Sequence, residues 1–119
     1  MLPEAFTDRM QEMLSAEEYQ AFLKSYGEPK KQALRLNPLK VDSGRFLELC
    51  PFSLTRVPWE ENGYYFDSED RPGKHPFHEA GVYYIQEASA MAPVPFLAAK
   101  PGERILDLCA APGGKSTQI

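Results

Sequence analysis

The sequence lacks the features that mark disulfide-rich, secreted and membrane-spanning proteins. Its 119 residues include only two cysteines, Cys50 and Cys109, which are too few for a disulfide framework. No apolar run approaches the roughly 20 residues of a membrane-spanning helix. Charged residues interrupt the first dozen positions, where a signal peptide would need an apolar stretch. We therefore expect a protein of the reducing cytoplasm, without a membrane partner.

The chain also lacks a strong excess of either charge, because 13 Lys and Arg stand against 17 Asp and Glu. Hydrophobic residues make up 43% of it, which is typical of a globular protein. Residues 24–45 nevertheless hold six basic and two acidic residues. Such a stretch points weakly to a polyanion such as RNA. A solvated face is the alternative explanation, and charge alone favours it.

The first 26 residues predict a helical hairpin. Apolar residues recur at helical spacing from Phe6 to Leu14 and again from Tyr19 to Tyr26. Between these stripes, Ser15 and Glu18 form a capping box for the second helix. The stripes are interpreted as packing surfaces.

The middle of the chain predicts a small mixed α/β layer like those of RNA-binding modules. The predicted elements are a strand at 33–37, a helix beginning at Asp42 or Ser43, and a hairpin of 54–58 with 64–66 around a turn at Asn62-Gly63. A polar loop follows at 67–76. It suggests two regions, an RNA-engaging region at 1–72 and a second region at 73–119. In the second region we predict strands at 82–85 and 104–109 and a helix from Glu87.

The sharpest motif closes the chain and reads DLCAAPGGKSTQ from Asp107. Small residues allow a ligand to approach the backbone closely, and the start of a helix offers free N–H groups to an anion. An ordinary strand-to-helix turn is the less favoured alternative. A phosphate-binding loop is also disfavoured, because it requires glycine five residues before Gly114, where this chain has Cys109.

The motif resembles the S-adenosyl-L-methionine loop of the Nop/Sun RNA (cytosine-5)-methyltransferases. Upstream segments are similar to the RsmF-like bacterial branch of that family, so the resemblance covers nearly the whole chain. These segments are the start LPEAF, LRLN from Leu34, RPGKHP from Arg71 and YYIQEASAM from Tyr83.

The resemblance implies the start of a Rossmann-like methyltransferase domain and assigns roles to particular residues. The cofactor loop would comprise Cys109, Ala110, Ala111, Pro112, Gly113, Gly114 and Lys115. Gln86, Glu87 and Ser89 match a segment near the cofactor. Lys30, Lys31, Arg35 and Asn37 match a region that contributes to RNA contact.

The resemblance also implies the chemistry of a longer protein. In the family, a cysteine thiolate attacks carbon 6 of cytosine, and the methyl group is then transferred to carbon 5. The motifs that carry this cysteine lie C-terminal to the loop, so we expect no catalytic residue in this chain and no activity from it alone. The expected substrate is structured RNA, with ribosomal RNA favoured over transfer RNA.

Two alternative functions remain open, a free-standing RNA-binding module and, less favoured, a phosphate-loop nucleotide binder. His75 and His78 have a spacing at which a metal is conceivable. Two ligands without a third are weak evidence, so packing in the loop is the preferred interpretation and no metal is expected.

Overall fold

The computed structural model describes residues 2–119. The chain divides into two compact units, Met1–Lys30 and Lys31–Ile119. Within the described residues, no helix is both long and apolar enough to cross a membrane.

The N-terminal unit is the predicted helical hairpin, which is confirmed. Helix α1 spans Glu4–Met13 and α2 spans Ala16–Ser25. The capping box is present: the Ser15 hydroxyl accepts from the Glu18 N–H, and the Glu18 carboxylate accepts from the Ser15 N–H at 2.9 Å. Phe6 packs on Phe22 with ring centroids 5.9 Å apart, which pins α1 to α2.

The second unit is built on a four-stranded antiparallel sheet in the order β2-β3-β1-β4. Its strands are β1 (Gln32–Leu36), β2 (Leu54–Arg56), β3 (Gly63–Phe66) and β4 (Tyr83–Ile85). Its helices are α3 (Ser43–Leu49), α4 (Pro76–Glu79), α5 (Ala88–Met91), α6 (Pro93–Leu97) and α7 (Gly114–Gln118). Two 3₁₀ turns, Ser68–Asp70 and Pro72–Lys74, occupy the predicted loop. The expected mixed α/β class is confirmed.

Side chains alternate across the sheet, and both faces are covered. Leu34 and Leu36 are fully buried on one face, where Phe46 of α3 packs with Tyr64 and Tyr83. On the opposite face, Ala33 packs with Val57, Ala88 and Met91. Because successive residues of a strand point to opposite faces, Arg35 lies on the second face, toward α5 and α7. Both faces therefore carry packed side chains, whereas Thr55 and Arg56 of the edge strand β2 are exposed.

The β2–β3 hairpin differs from its prediction in the position of the turn. Gly63 is the first residue of β3, and the connection runs through residues 57–62. A β-carbon at Gly63 would lie 2.9 Å from the Met91 sulfur and 3.0 Å from the Val57 β-carbon. Glycine at this position allows α5 to pack closely against the strand. The predicted hairpin is confirmed by the antiparallel pairing of β2 with β3, but Gly63 belongs to the strand and not to the turn.

The predicted strand at 104–109 is also wrong. These residues have no strand assignment, and Leu106 and Leu108 are 80% and 86% exposed. A strand requires a neighbour to complete its hydrogen-bond ladder. The sheet among residues 2–119 comprises four other strands, and none lies beside this segment.

The proposed boundary between residues 72 and 73 runs through one sheet. Strand β4 follows the boundary, yet it pairs with β1, with Leu34 opposite Ile85 and Leu36 opposite Tyr83. As a division between RNA engagement and cofactor binding, the boundary stays a prediction. The two compact units of the structure meet near Lys30 and not at residue 72.

Candidate functional site

The candidate cofactor loop, residues 109–115, is held by Asp107 at one end. One carboxylate oxygen accepts the Cys109 N–H at 2.8 Å, and the other accepts the Ser116 hydroxyl at 2.5 Å. The hydroxyl and then the amide lower the pKa of the Asp107 carboxyl, although the carboxyl is exposed. Asp107 therefore ties the entrance of the loop to the helix that follows it.

Two glycines shape the far end of the loop. Gly113 has φ of 114°, a left-handed conformation that glycine adopts without strain. At Gly114 an added β-carbon would lie 3.3 Å from the Gln86 side-chain carbon and 3.5 Å from the Tyr84 ring. Small size at this position allows the loop to approach β4 closely.

A cleft of about 220 Å³ lies between this loop and the end of β4, and we call it the loop cleft. Its walls are formed by Tyr84, Ile85, Gln86, Glu87, Ala90, Cys109, Ala111, Pro112, Gly114 and Lys115. Five of the seven predicted loop residues line it, and Ala110 and Gly113 do not. Gln86 and Glu87 line it as the resemblance implied, whereas Ser89 does not.

A larger groove of about 640 Å³ runs past Trp59 and Val94. It contains none of the residues that the sequence predicted for cofactor or RNA. A third cavity, of about 620 Å³, is lined by Arg35, Asn37 and Thr117 but by none of residues 109–115. The loop cleft is the candidate cofactor site, because it joins the loop motif to Gln86 and Glu87, which the resemblance also places near the cofactor.

Arg35 does not lie on the surface that an RNA contact requires. It is 6% exposed. Its Nε–H donates to Gln86 Oε1 at 3.0 Å, and its Nη2 donates to the Gly114 carbonyl at 3.2 Å. Burial lowers the pKa of the Arg35 guanidinium. Arg35 contacts the candidate cofactor loop, because strand alternation turns it toward α7. Its role in RNA contact stays a prediction.

The other predicted RNA-binding residues divide into two groups. Asn37 is committed to the fold: its amide donates to the Gly81 carbonyl at 3.1 Å and its side-chain oxygen accepts the Leu39 N–H at 3.1 Å. Lys30 and Lys31 are exposed. Among the four predicted residues, these two lysines are the exposed ones, and RNA contact by the set stays a prediction.

Sequence reasoning missed Tyr84 as part of the site. Its hydroxyl donates to the Pro112 carbonyl at 3.3 Å, and its ring lies beneath the Arg35 guanidinium, with 5.9 Å from guanidinium carbon to ring centroid. The alternation of β4 was the available signal, since Tyr83 is buried on the core side and Tyr84 must then face the opposite way.

The two histidines differ in their contacts: the His78 ring lies 6.1 Å from the Tyr83 ring between centroids, and its buried Nδ1 has no hydrogen-bond partner among the described residues. His75 Nδ1 accepts the Phe77 N–H at 3.2 Å and caps α4, and its ring packs edge-on against Phe52 with centroids 5.2 Å apart. Among residues 2–119, no group of three or more His, Cys, Asp or Glu is arranged to hold a metal ion.

Solved structures and curated proteins place this fold among methyltransferase relatives. A methyltransferase homolog from Pyrococcus horikoshii matches with a TM-score of 0.70 and 28% identity, over 98% of this chain and 44% of that one. Residues 2–88 match the family model of the N-terminal domain of 16S rRNA methyltransferase RsmF. The chain therefore belongs to the family of RsmF N-terminal domains.

Curated relatives extend this similarity through the candidate cofactor loop. The ribosomal RNA small subunit methyltransferases F of Erwinia tasmaniensis and Citrobacter koseri are 39% and 42% identical to it, each over 98% of this chain. The alignments cover 27% and 26% of those proteins. The chain thus spans about a quarter of the length of the curated relatives it matches.

Proposed function

We propose that this chain supplies the methionine-side binding loop for S-adenosyl-L-methionine in a methyltransferase that forms 5-methylcytosine in ribosomal RNA. The observation that carries the proposal is the loop cleft. It joins the loop motif at 109–115 to Gln86 and Glu87, two segments that lie more than twenty positions apart in the sequence.

The residues around the cleft fit part of such a cofactor. Ligand pockets for whole small molecules measure roughly 300–1,000 Å³, so a cleft of about 220 Å³ would hold one end of the cofactor. Lys115 on its wall would face a carboxylate, and the small side chains of Ala111 and Gly114 leave room beside the backbone. When bound, the cofactor supplies an electrophilic methyl group.

Neither cysteine of the chain is proposed as the nucleophile. Burial raises the pKa of the Cys50 thiol, which packs beside the core of the sheet and is poorly suited to attack. Cys109 belongs to the candidate cofactor loop. The chain alone should therefore transfer no methyl group from labelled cofactor to ribosomal RNA; turnover by the pure chain would contradict this assignment.

RNA engagement is proposed first for Lys30 and Lys31, because both are exposed. Ion pairing with phosphates should make binding fall steeply with added salt. A double variant with both lysines replaced by glutamine should bind a ribosomal RNA fragment more weakly. Lys100→Gln/Arg104→Gln, at two exposed positions outside residues 24–45, is the charge-matched control. Equal binding by the double variant and wild type would remove these lysines from the interface.

The cofactor assignment is tested by protection of Cys109 from alkylation. Cys109 is exposed and lines the loop cleft, so saturating S-adenosylhomocysteine should slow its reaction with iodoacetamide, while Cys50 serves as the internal control. ATP at the same concentration should give no protection. A nitrogen-15 correlation spectrum should show shifts confined to residues 84–90 and 107–118. No protection and no shifts would refute the cofactor proposal, and protection by ATP would favour the phosphate-loop alternative.

A further inference from the structure

A chain of buried side-chain hydrogen bonds connects the sheet to the helix after the candidate cofactor loop. Arg35 Nε–H donates to Gln86 Oε1 at 3.0 Å, and Gln86 Nε2–H donates to Gln118 Oε1 at 3.3 Å. Gln118 Nε2–H then donates to Glu60 Oε2 at 2.5 Å. Every donor points the same way, from a cation to an anion. Such chains polarise their members and strengthen one another.

Arg35 also contacts the loop directly. Its Nη2 donates to the Gly114 carbonyl at 3.2 Å and to the Thr117 hydroxyl at 2.8 Å. The guanidinium is planar and rigid, so one group sets the distance of Gly114 from Gln86. Both of these residues line the loop cleft.

The energetics argue against a role in stability alone. Arg35, Gln86 and Glu60 are 6%, 7% and 8% exposed, and burying a charge has a desolvation cost that apolar packing avoids. Burial lowers the pKa of Arg35, while the negative charge of Glu60 opposes that shift. An apolar side chain on β1 would cover α7 without this cost, but it would not hold a carbonyl and a hydroxyl at fixed positions.

We propose that Arg35 is a positioning residue. Its guanidinium, which also bonds the Gln86 side chain, holds Gly114 and Thr117 against the sheet. These contacts keep the loop cleft open for the cofactor. This inference rests on the proposed cofactor function. Arg35 acts through the loop and is not assigned any contact with cofactor or RNA.

The test compares Arg35→Met, Arg35→Lys and Thr117→Val with wild type, and Arg45→Met is the matched control. Arg45 is exposed and pairs with Glu48 on α3. We expect S-adenosylhomocysteine affinity to fall at least tenfold in Arg35→Met, less in Thr117→Val, and not at all in Arg45→Met. Arg35→Lys should fail to restore affinity, because an ammonium group lacks the planar fork.

A spectroscopic signature separates positioning from general destabilisation. In free wild type the Arg35 Nε–Hε resonance should be protected from solvent exchange. In Arg35→Lys the amides of residues 113–118 should shift although that segment is unchanged, while those of α3 stay at their wild-type positions. If Arg35→Met fails to fold, Arg35→Lys decides: unchanged affinity and unchanged loop amides would overturn the proposal.

The two proposals fail in distinguishable ways. If wild type binds no S-adenosylhomocysteine, the cofactor function fails, while the Nε–Hε protection and the loop amide shifts still test positioning in the free protein. The other case is that wild type binds S-adenosylhomocysteine and Arg35→Lys, shown to be folded by its β1 amide resonances, binds it equally well. Positioning by Arg35 is then refuted, and the cofactor function stands.

Discussion

Gly63→Ala tests the close packing that supports the site. An added β-carbon would lie 2.9 Å from the Met91 sulfur, 3.0 Å from the Glu60 γ-carbon and 3.0 Å from the Val57 β-carbon. Carbon atoms pack best at about 3.5–4.0 Å, so all three contacts are too short. The Val57 β-carbon is fixed next to its backbone, and it cannot yield as the Met91 side chain can.

The expected cost follows from two opposing effects. Overpacking in a core costs about 1–3 kcal/mol, whereas replacing glycine by alanine stabilises by about 0.4–1 kcal/mol through the unfolded chain. We expect a net loss of about 1–2 kcal/mol, because the contacts come from three directions. For a unit of this size, each kcal/mol lowers Tm by roughly 4–8 °C.

The measurement is a urea titration followed by fluorescence of Trp59, the only tryptophan. Its indole N–H donates to the Ala88 carbonyl at 2.7 Å, so it reports on the packing of α5 against the hairpin. Gly73→Ala is the control, since its β-carbon would make an ordinary 3.4 Å contact with Ile85 and should change stability by less than about 0.5 kcal/mol. A Gly63→Ala protein as stable as wild type would refute this reasoning.

Three further predictions concern single groups. Ser116→Ala should raise the pKa of the Asp107 carboxyl, which is lowered from 3.8 by the Ser116 hydroxyl and then by the Cys109 amide. Because the pKa is lower in the folded state than in the unfolded state, the carboxylate stabilises the fold above pH 3.8. This stabilisation is lost as the pH falls through the folded-state pKa. A carboxyl carbon-13 titration measures it, and an unchanged pKa would remove Ser116 as the cause. Ser15→Ala should destabilise the N-terminal hairpin by about 1 kcal/mol, seen as an earlier loss of helical circular dichroism on heating; an unaltered melting curve would contradict the capping box. Cys50 should react with iodoacetamide more slowly than Cys109, because burial raises the pKa of its thiol and Cys109 is exposed; equal rates would contradict the packing around Cys50.

The sequence predicted the elements whose signals are local. The capping box at Ser15 and the β1 strand were confirmed, and of the two residues predicted to begin α3, Asp42 is the one that caps it. Each depends on neighbours within a few residues: a side chain that accepts an N–H three positions on, or a proline that ends the strand. Local chemistry of this kind is independent of the rest of the fold.

The errors share a different cause. The segment 104–109 has the apolar pattern of a strand, but pattern does not supply a partner strand. The Asn62-Gly63 pair is typical of a tight turn. Gly63 is instead needed for close packing against Met91, which lies far along the chain. Both errors arise because sequence patterns carry no information about which distant residues are neighbours.

By itself, the sequence determined the helical hairpin, the mixed α/β class and the loop motif, because each is carried by residue types at short spacing. Only the tertiary structure decided that Arg35 contacts the loop, that Tyr84 and Gln86 form the opposite wall of the cleft, and that β4 joins the sheet across the expected boundary. The physical reason is that strand order and register determine which face each side chain occupies. That choice is made by packing between residues fifty or more positions apart, such as Arg35 and Gln86.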